Sequence, residues 1–93
     1  MNPYSVKKLP SDILYQTAQR HRTLRRRLKI SQVELAQRSG ISLGSIKRFE
    51  QTGEIAFSSL LRLAQLLHRL DDFEILFKLP EDLEEVEKLF NSK

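Results

Sequence analysis

The chain is 93 residues long, carries a formal net charge of +4, and is 40% hydrophobic and 30% charged. That length supports one modest hydrophobic core, too little for a catalytic domain plus a regulatory one. Cysteine is absent, which excludes disulfides, thiolate metal sites and thiol nucleophiles. Residues 1–12 lack the apolar segment of an export signal and no later run approaches a membrane span, so a cytoplasmic location is expected.

In chain order, residues 1–10 read as a flexible N-terminal arm. Pro10-Ser11-Asp12 has the composition of a helix start, and Ile13, Leu14, Ala18, Leu24 and Leu28 recur at roughly helical spacing through a very basic stretch. They predict a first helix over about residues 11–28. A short second helix follows Ser31, a favoured N-cap, with Val33, Leu35 and Ala36 inward, and stops at Gly40, suited to the left-handed position after a helix end. Ser42 caps a third, LGSIKRFEQ, in which Ile46 and Phe49 share a face and Gly53 ends the helix.

After the connector EIAF, Ser58 is the expected cap of SSLLRLAQLLHRL, apolar enough to be the buried central helix. DDFEILFK reads as another helix, its two acids at the positive end of the dipole. Pro80 opens the acidic helix EDLEEVEKLF, with Leu83, Val86, Leu89 and Phe90 as its stripe. With no strand-like alternation, repeat or sustained heptad, the fold class is all-α, a compact bundle of five to six helices. The expected organisation is an arm (1–10), a helical domain (11–79) and an acidic C-terminal helix or tail (80–93).

Charge is divided along the chain: residues 1–50 sum to +8 and residues 51–93 to −4. A basic half is what a polyanion attracts, through steering and counterion release, although a solvated charged helix face has the same composition. The run SQVELAQRSGISLGSIKRFEQTGE, residues 31–54, reads as helix, tight turn, helix. Small Ala36 admits the second helix closely, Gly40 makes the turn, and Ile41 and Ile46 plug the angle between the helices. The outer face of the second helix is then free for a major groove.

This run resembles the Cro and lambda-repressor-like family, also called the XRE family, through Ser31, Gln32, Leu35, Ala36, Gly40, Ile41, Ser42, Ile46 and Glu50. The resemblance covers about residues 18–70 and departs at Lys29, where a glycine is usual, and at Gln51-Thr52, which adds a residue before Gly53. It implies a lambda-repressor-like DNA-binding domain, with Gln32 on a phosphate and the N-terminal face of the third helix on base edges. Carried onto this sequence, the base-facing set is Leu43, Gly44, Lys47 and Arg48, with Ser45 at its margin. Arg48 and Lys47 suit guanine O6 and N7 and equally a phosphate, Leu43 suits a thymine methyl, and Gly44 permits close approach.

The phosphate set adds Ser42, Arg38 and Arg26, with Arg20, Arg22, Arg27 and Lys29 as supplements that cannot all reach one duplex. Lys7 and Lys8 fall in the arm. By the same resemblance, Arg25 and Glu50 form an ion pair joining the first helix to the end of the third, a structural role. No Cys, His-pair or carboxylate spacing suggests a metal or a nucleophile, so neither enzyme activity nor a cofactor is expected. His21 and His68 read as structural or interfacial.

A repressor of this size is expected to act as a homodimer on a palindromic operator, at the nucleoid, because two recognition helices about 34 Å apart multiply affinity. The expected dimer or partner interface is Phe73, Leu76, Phe77, Leu83 and Val86. Residues 45–77 look like the HipB-like antitoxin branch, which implies repression of its own operon and binding of a HipA-like kinase toxin. The acidic tail suits a protein better than DNA. The alternatives are a stand-alone repressor and a protein-interaction module with a vestigial helix-turn-helix.

Overall fold

A computed structural model describes residues 8–91. The arm expected at residues 1–10 therefore lies, up to Lys7, outside the described residues. Five α-helices and one 3-10 turn follow in order: α1 (Pro10–Arg27), α2 (Gln32–Ser39), α3 (Leu43–Thr52), α4 (Phe57–Leu66), the 3-10 turn (Leu70–Phe73) and α5 (Leu83–Asn91). No strand occurs among the described residues, and no described helix is long and apolar enough to cross a membrane.

Pro10 opens α1 because a first-turn N–H has no intrahelical partner to lose. Asp12 reaches back to accept the Leu9 backbone N–H at 2.9 Å. Arg25, Arg26 and Arg27 fill the last turn, where positive charge suits the helix dipole. The helix stops because Lys29 takes a left-handed φ of 59°, so that Ile30 N–H reaches back to the Arg25 carbonyl at 3.1 Å. Arg25 Nη1 holds the same turn through the Ile30 carbonyl at 2.9 Å.

Ser31 and Ser42 cap α2 and α3 by accepting the N–H groups of Glu34 and Ser45. Gly40 and Gly53 end those helices at φ of 75° and 84°. At Gly53 a second constraint applies: an added Cβ would lie 2.5 Å from the Leu14 carbonyl oxygen, so only glycine lets the end of α3 meet the α1 backbone. Arg62 of α4 donates to the Ser39 carbonyl at 2.5 Å, tying α4 to the end of α2.

The core is Ala18, Leu35, Ile41, Ile46, Phe49, Leu63 and Leu67, with Leu24, Ile30, Ala36, Ile55, Leu60 and Leu66 packed around it. Phe49, Leu35, Ile46 and Leu63 are fully buried, each worth about 1.5–3 kcal/mol relative to exposure. α1 packs on α3, α2 on α3 and α4, and α4 on the 3-10 turn.

Several expectations are corrected. Val33 is 51% exposed rather than inward: it stands about 200° around the helix from Leu35, so the two cannot share a face. Ile13, Leu14 and Leu28 are also exposed, leaving Ala18 and Leu24 as the inward residues of that stripe. α4 is capped at Ala56, not Ser58, and begins at Phe57, whose ring meets Phe73 edge-on at 6.1 Å. It ends at Leu66 because His68 takes a φ of 61° and Arg69 N–H reaches back to the Ala64 carbonyl at 2.7 Å.

DDFEILFK is not a helix but a 3-10 turn followed by further turns, with Phe77 at a φ of 60°. Asp72 is bound to Arg69 Nη2 at 2.7 Å instead of serving a dipole. A helix here would have little room before Pro80, which disfavours helical backbone at Leu79 and clashes with the carbonyl four residues back. Pro80 itself stands before α5, not in it.

Candidate nucleic-acid interface

The two serine caps and Gly40 set α2 and α3 into a helix-turn-helix, with the buried face of α3 formed by Ile46, Phe49 and Glu50. Its opposite face carries Gly44, Lys47 and Arg48 in solvent, with Ser45 exposed beside them and Leu43 half-buried at the edge. Gly44 has open space where a Cβ would stand. Ser42 Oγ is occupied by capping, accepting the Ser45 N–H at 3.1 Å and donating to Ser45 Oγ at 2.8 Å.

The pose of this face is set from below by one carboxylate. Glu50, 3% exposed, is gripped at both oxygens by Arg25, with Nε–Oε2 and Nη2–Oε1 distances of 2.9 Å. Two further partners join them: His21 Nδ1 lies 2.8 Å from Oε2 and Gln32 Nε2 donates to Oε1 at 2.9 Å. Glu50 thus binds α1, the first residue of α2 and the last turns of α3 into one body. The Gln32 amide nitrogen has a second hydrogen that Glu50 does not use.

The charges of the hub are shifted by burial and by one another. Burial alone pushes the Glu50 carboxyl up, but the hydrogen bonds from Arg25 and Gln32 and the nearby Arg25 and His21 charges together hold it below its ordinary value. Burial lowers His21 below its ordinary value, against the opposing pull of Glu50. His21 also meets the edge of Phe49 at 5.0 Å.

Of the expected phosphate set, Arg38 is bound to Glu34 at 2.7 Å one turn back, and Arg26 is exposed with no ion pair to a described residue. Arg48 is joined to Glu54, in the connector after α3, with Nη2–Oε1 at 2.5 Å. The structure therefore brings Gln32, Arg25 and Glu50 together in the hub, gathers Leu43, Gly44, Ser45, Lys47 and Arg48 on one helix end, and leaves Arg26 and Arg38 at separate surface positions.

Sequence reasoning missed His21 as a partner of Glu50, although His21 stands four residues before Arg25 and hence on the same face of α1. It also missed Glu54. The signal there is the additional residue before Gly53: Thr52 donates to the Arg48 carbonyl at 2.8 Å and accepts the Glu54 N–H at 3.1 Å, which sets Glu54 beside Arg48. The Arg62 contact to Ser39 has no local signal, because 23 residues separate the pair.

An all-helical bundle presenting the outer face of a capped third helix defines a helix-turn-helix DNA-binding regulator. The chain belongs to the XRE-type helix-turn-helix family: a family model described as Helix-turn-helix matches residues 22–75, more than half of its length. The match runs from α1 to the turns after Phe73 and does not include α5. No curated protein and no solved structure gives a significant match to the chain.

Proposed function

We propose that the protein is a transcriptional repressor that binds a palindromic operator as a homodimer, reading bases with α3. The observation that carries this reading is the placement of Gly44, Lys47 and Arg48 in solvent on α3 directly outside the Glu50 hub. A recognition helix must hold its side chains in fixed register with the groove, and the hub removes the freedom of α3 to rock against α1 and α2. Gln32, hydrogen-bonded into the hub, uses its remaining amide hydrogen for a phosphate, while Arg26 and Arg38 add sequence-independent attraction.

Fluorescence-anisotropy titration against the chain's own upstream DNA and a scrambled duplex, across a salt series, tests the reading. The expected result is preference for the upstream DNA, with affinity falling steeply as salt rises. Arg48→Ala is expected to cost about 1–3 kcal/mol on the correct site and relax preference at one base pair, whereas Gln32→Ala weakens all sequences alike. Equal losses on specific and random DNA from both would remove α3 as the reader. The absence of salt-dependent binding would leave the protein-interaction module.

The narrower reading, a HipB-like antitoxin that represses its operon and binds a HipA-like kinase toxin, draws its support from residues 45–77. Co-expression with a kinase from the adjoining reading frame tests it. A stable complex that tightens operator binding is expected, and full repression without any partner would make the chain a stand-alone repressor.

A further inference from the structure

From the pairing of a largely apolar groove edged by Arg20 with an uncovered acidic helix, we propose that α5 of one chain docks in the groove between α1 and α4 of a second copy, reciprocally. The groove has a volume of about 610 Å³, and its lining includes His21 and Leu24 of α1, Ala64 of α4, and Leu67 and Phe73 beyond it. Thr17, His21 and Leu24 of α1 and Leu60 and Ala64 of α4 fall at helical spacing on two helices that do not pack on each other, which leaves a trough of the kind that accepts a third helix. His21 Nε2, on this floor, is the buried side-chain polar atom without a hydrogen-bond partner among the described residues.

α5 is the complementary piece. It has no buried residue and packs on no other element among the described residues, and the molecule is accordingly 50 Å long against 27 and 23 Å across. Leu83, Val86 and Phe90 form a stripe about 10 Å long at 1.5 Å rise per residue, matching the stretch of α1 from Thr17 to Leu24 that edges the groove. At 100° per residue, Glu87 flanks that stripe on one side, and Asp82 stands just before its first residue. The groove has one arginine near each rim, Arg20 on α1 and Arg69 after α4. Arg69 is paired through two hydrogen bonds with Asp72, which also lines the groove, whereas Arg20 has no ion pair with a described residue, so the open positive charge on the rim is that of Arg20.

The placement of α5 clear of the described elements of its own chain, on a molecule 50 Å long, favours a second copy over the same chain. The connector to α5 is itself apolar and exposed at Ile75, Leu76, Phe77 and Leu79, which adds surface that a second copy can cover. A helix of nine residues is marginal alone, and reciprocal docking supplies two such contacts toward the roughly 1,200–2,000 Å² that a stable interface needs. This inference rests on the homodimer in the function proposed above and names its surface.

The chain has no cysteine, so cross-linking reports the contact without background. Full-length Ala64→Cys and Val86→Cys chains are mixed under oxidation without DNA, and sedimentation equilibrium follows the parent chain in parallel. A covalent Ala64→Cys to Val86→Cys dimer is expected from the mixture. Arg20→Glu is expected to weaken dimerisation by about tenfold, and adding Glu87→Arg in the same chain to restore it. A monomeric parent, a dimer indifferent to Arg20→Glu, or a closed intrachain link in the double-cysteine chain at low concentration would each overturn the proposal. Operator binding is measured separately, so loss of the groove contact and failure of DNA recognition are distinguishable.

Discussion

Residues 10–67 and residues 70–91 both place apolar side chains at helical spacing, yet every buried residue lies in the first region and none in the second. The stripe of α4 finds α2 and the core opposite it, whereas that of α5 faces solvent. Amphipathic spacing is therefore a statement about what a helix can bury, and burial requires an opposing surface within reach. The first region supplies its own. In the second, the 3-10 turn packs on α4 but α5 has no such surface among the described residues.

The sharpest way to break this comparison is at the hub. Glu50→Ala strands Arg25 beneath α3 and is expected to cost about 3–5 kcal/mol in thermal or denaturant unfolding. An unchanged melting temperature would mean that the first region is held by apolar packing alone. Gly53→Ala is expected to cost about 2 kcal/mol or more, because the left-handed φ and the Leu14 backbone both oppose a Cβ. A tolerated alanine would show that α1 and α3 separate more easily than their contact suggests.

Acid sharpens the comparison further, since the shifted groups belong to the first region. His21 takes a proton near 6.5 when unfolded but resists it when folded, so stability falls as pH drops below about 6.5 toward the lowered folded value. Glu50 contributes stability above its ordinary 4.5, lost as pH falls through its depressed folded value. Denaturation midpoints across this range are expected to decline in two stages, and His21→Gln to flatten the upper one. A midpoint that stays constant as pH falls below about 6.5 in the parent would remove His21 as a contributor.

Lys29→Gly is expected to gain about 1 kcal/mol, by relieving a left-handed non-glycine residue at the end of α1. His68→Gly tests the same effect at the junction between the two regions. The smallest effect belongs to the second region: Leu89→Ala, at a 77% exposed position, is expected within about 0.5 kcal/mol where the chain is monomeric. A loss comparable to a core residue would show that α5 is seated in its own chain.

The helix-turn-helix was legible because its signals are local. Ser31, Gly40, Ser42 and Gly53 mark helix ends through backbone geometry that a few neighbouring residues determine, and all four occupy those positions. The outward set on α3 follows from the same register, since burying Ile46 and Phe49 leaves Gly44, Lys47 and Arg48 outside. Arg25 and Glu50 were paired through family resemblance, but their partners His21 and Gln32 were not.

What failed was whatever a distant contact decides. Ser58 has the chemistry of a cap, but α4 is capped two residues earlier, at Ala56, and its first residue Phe57 meets Phe73. His68 carries no sign that the chain will turn left-handed there, and DDFEILFK has helical composition without a surface to pack on or room before Pro80. The sequence alone determined the all-α class, the helix-turn-helix and the face that α3 turns outward, because caps, turns and spacing act over a few residues. Only the tertiary structure decided the four-membered hub at Glu50, the Arg48–Glu54 pair and the groove left open between α1 and α4, because these depend on which helices meet and at what distance.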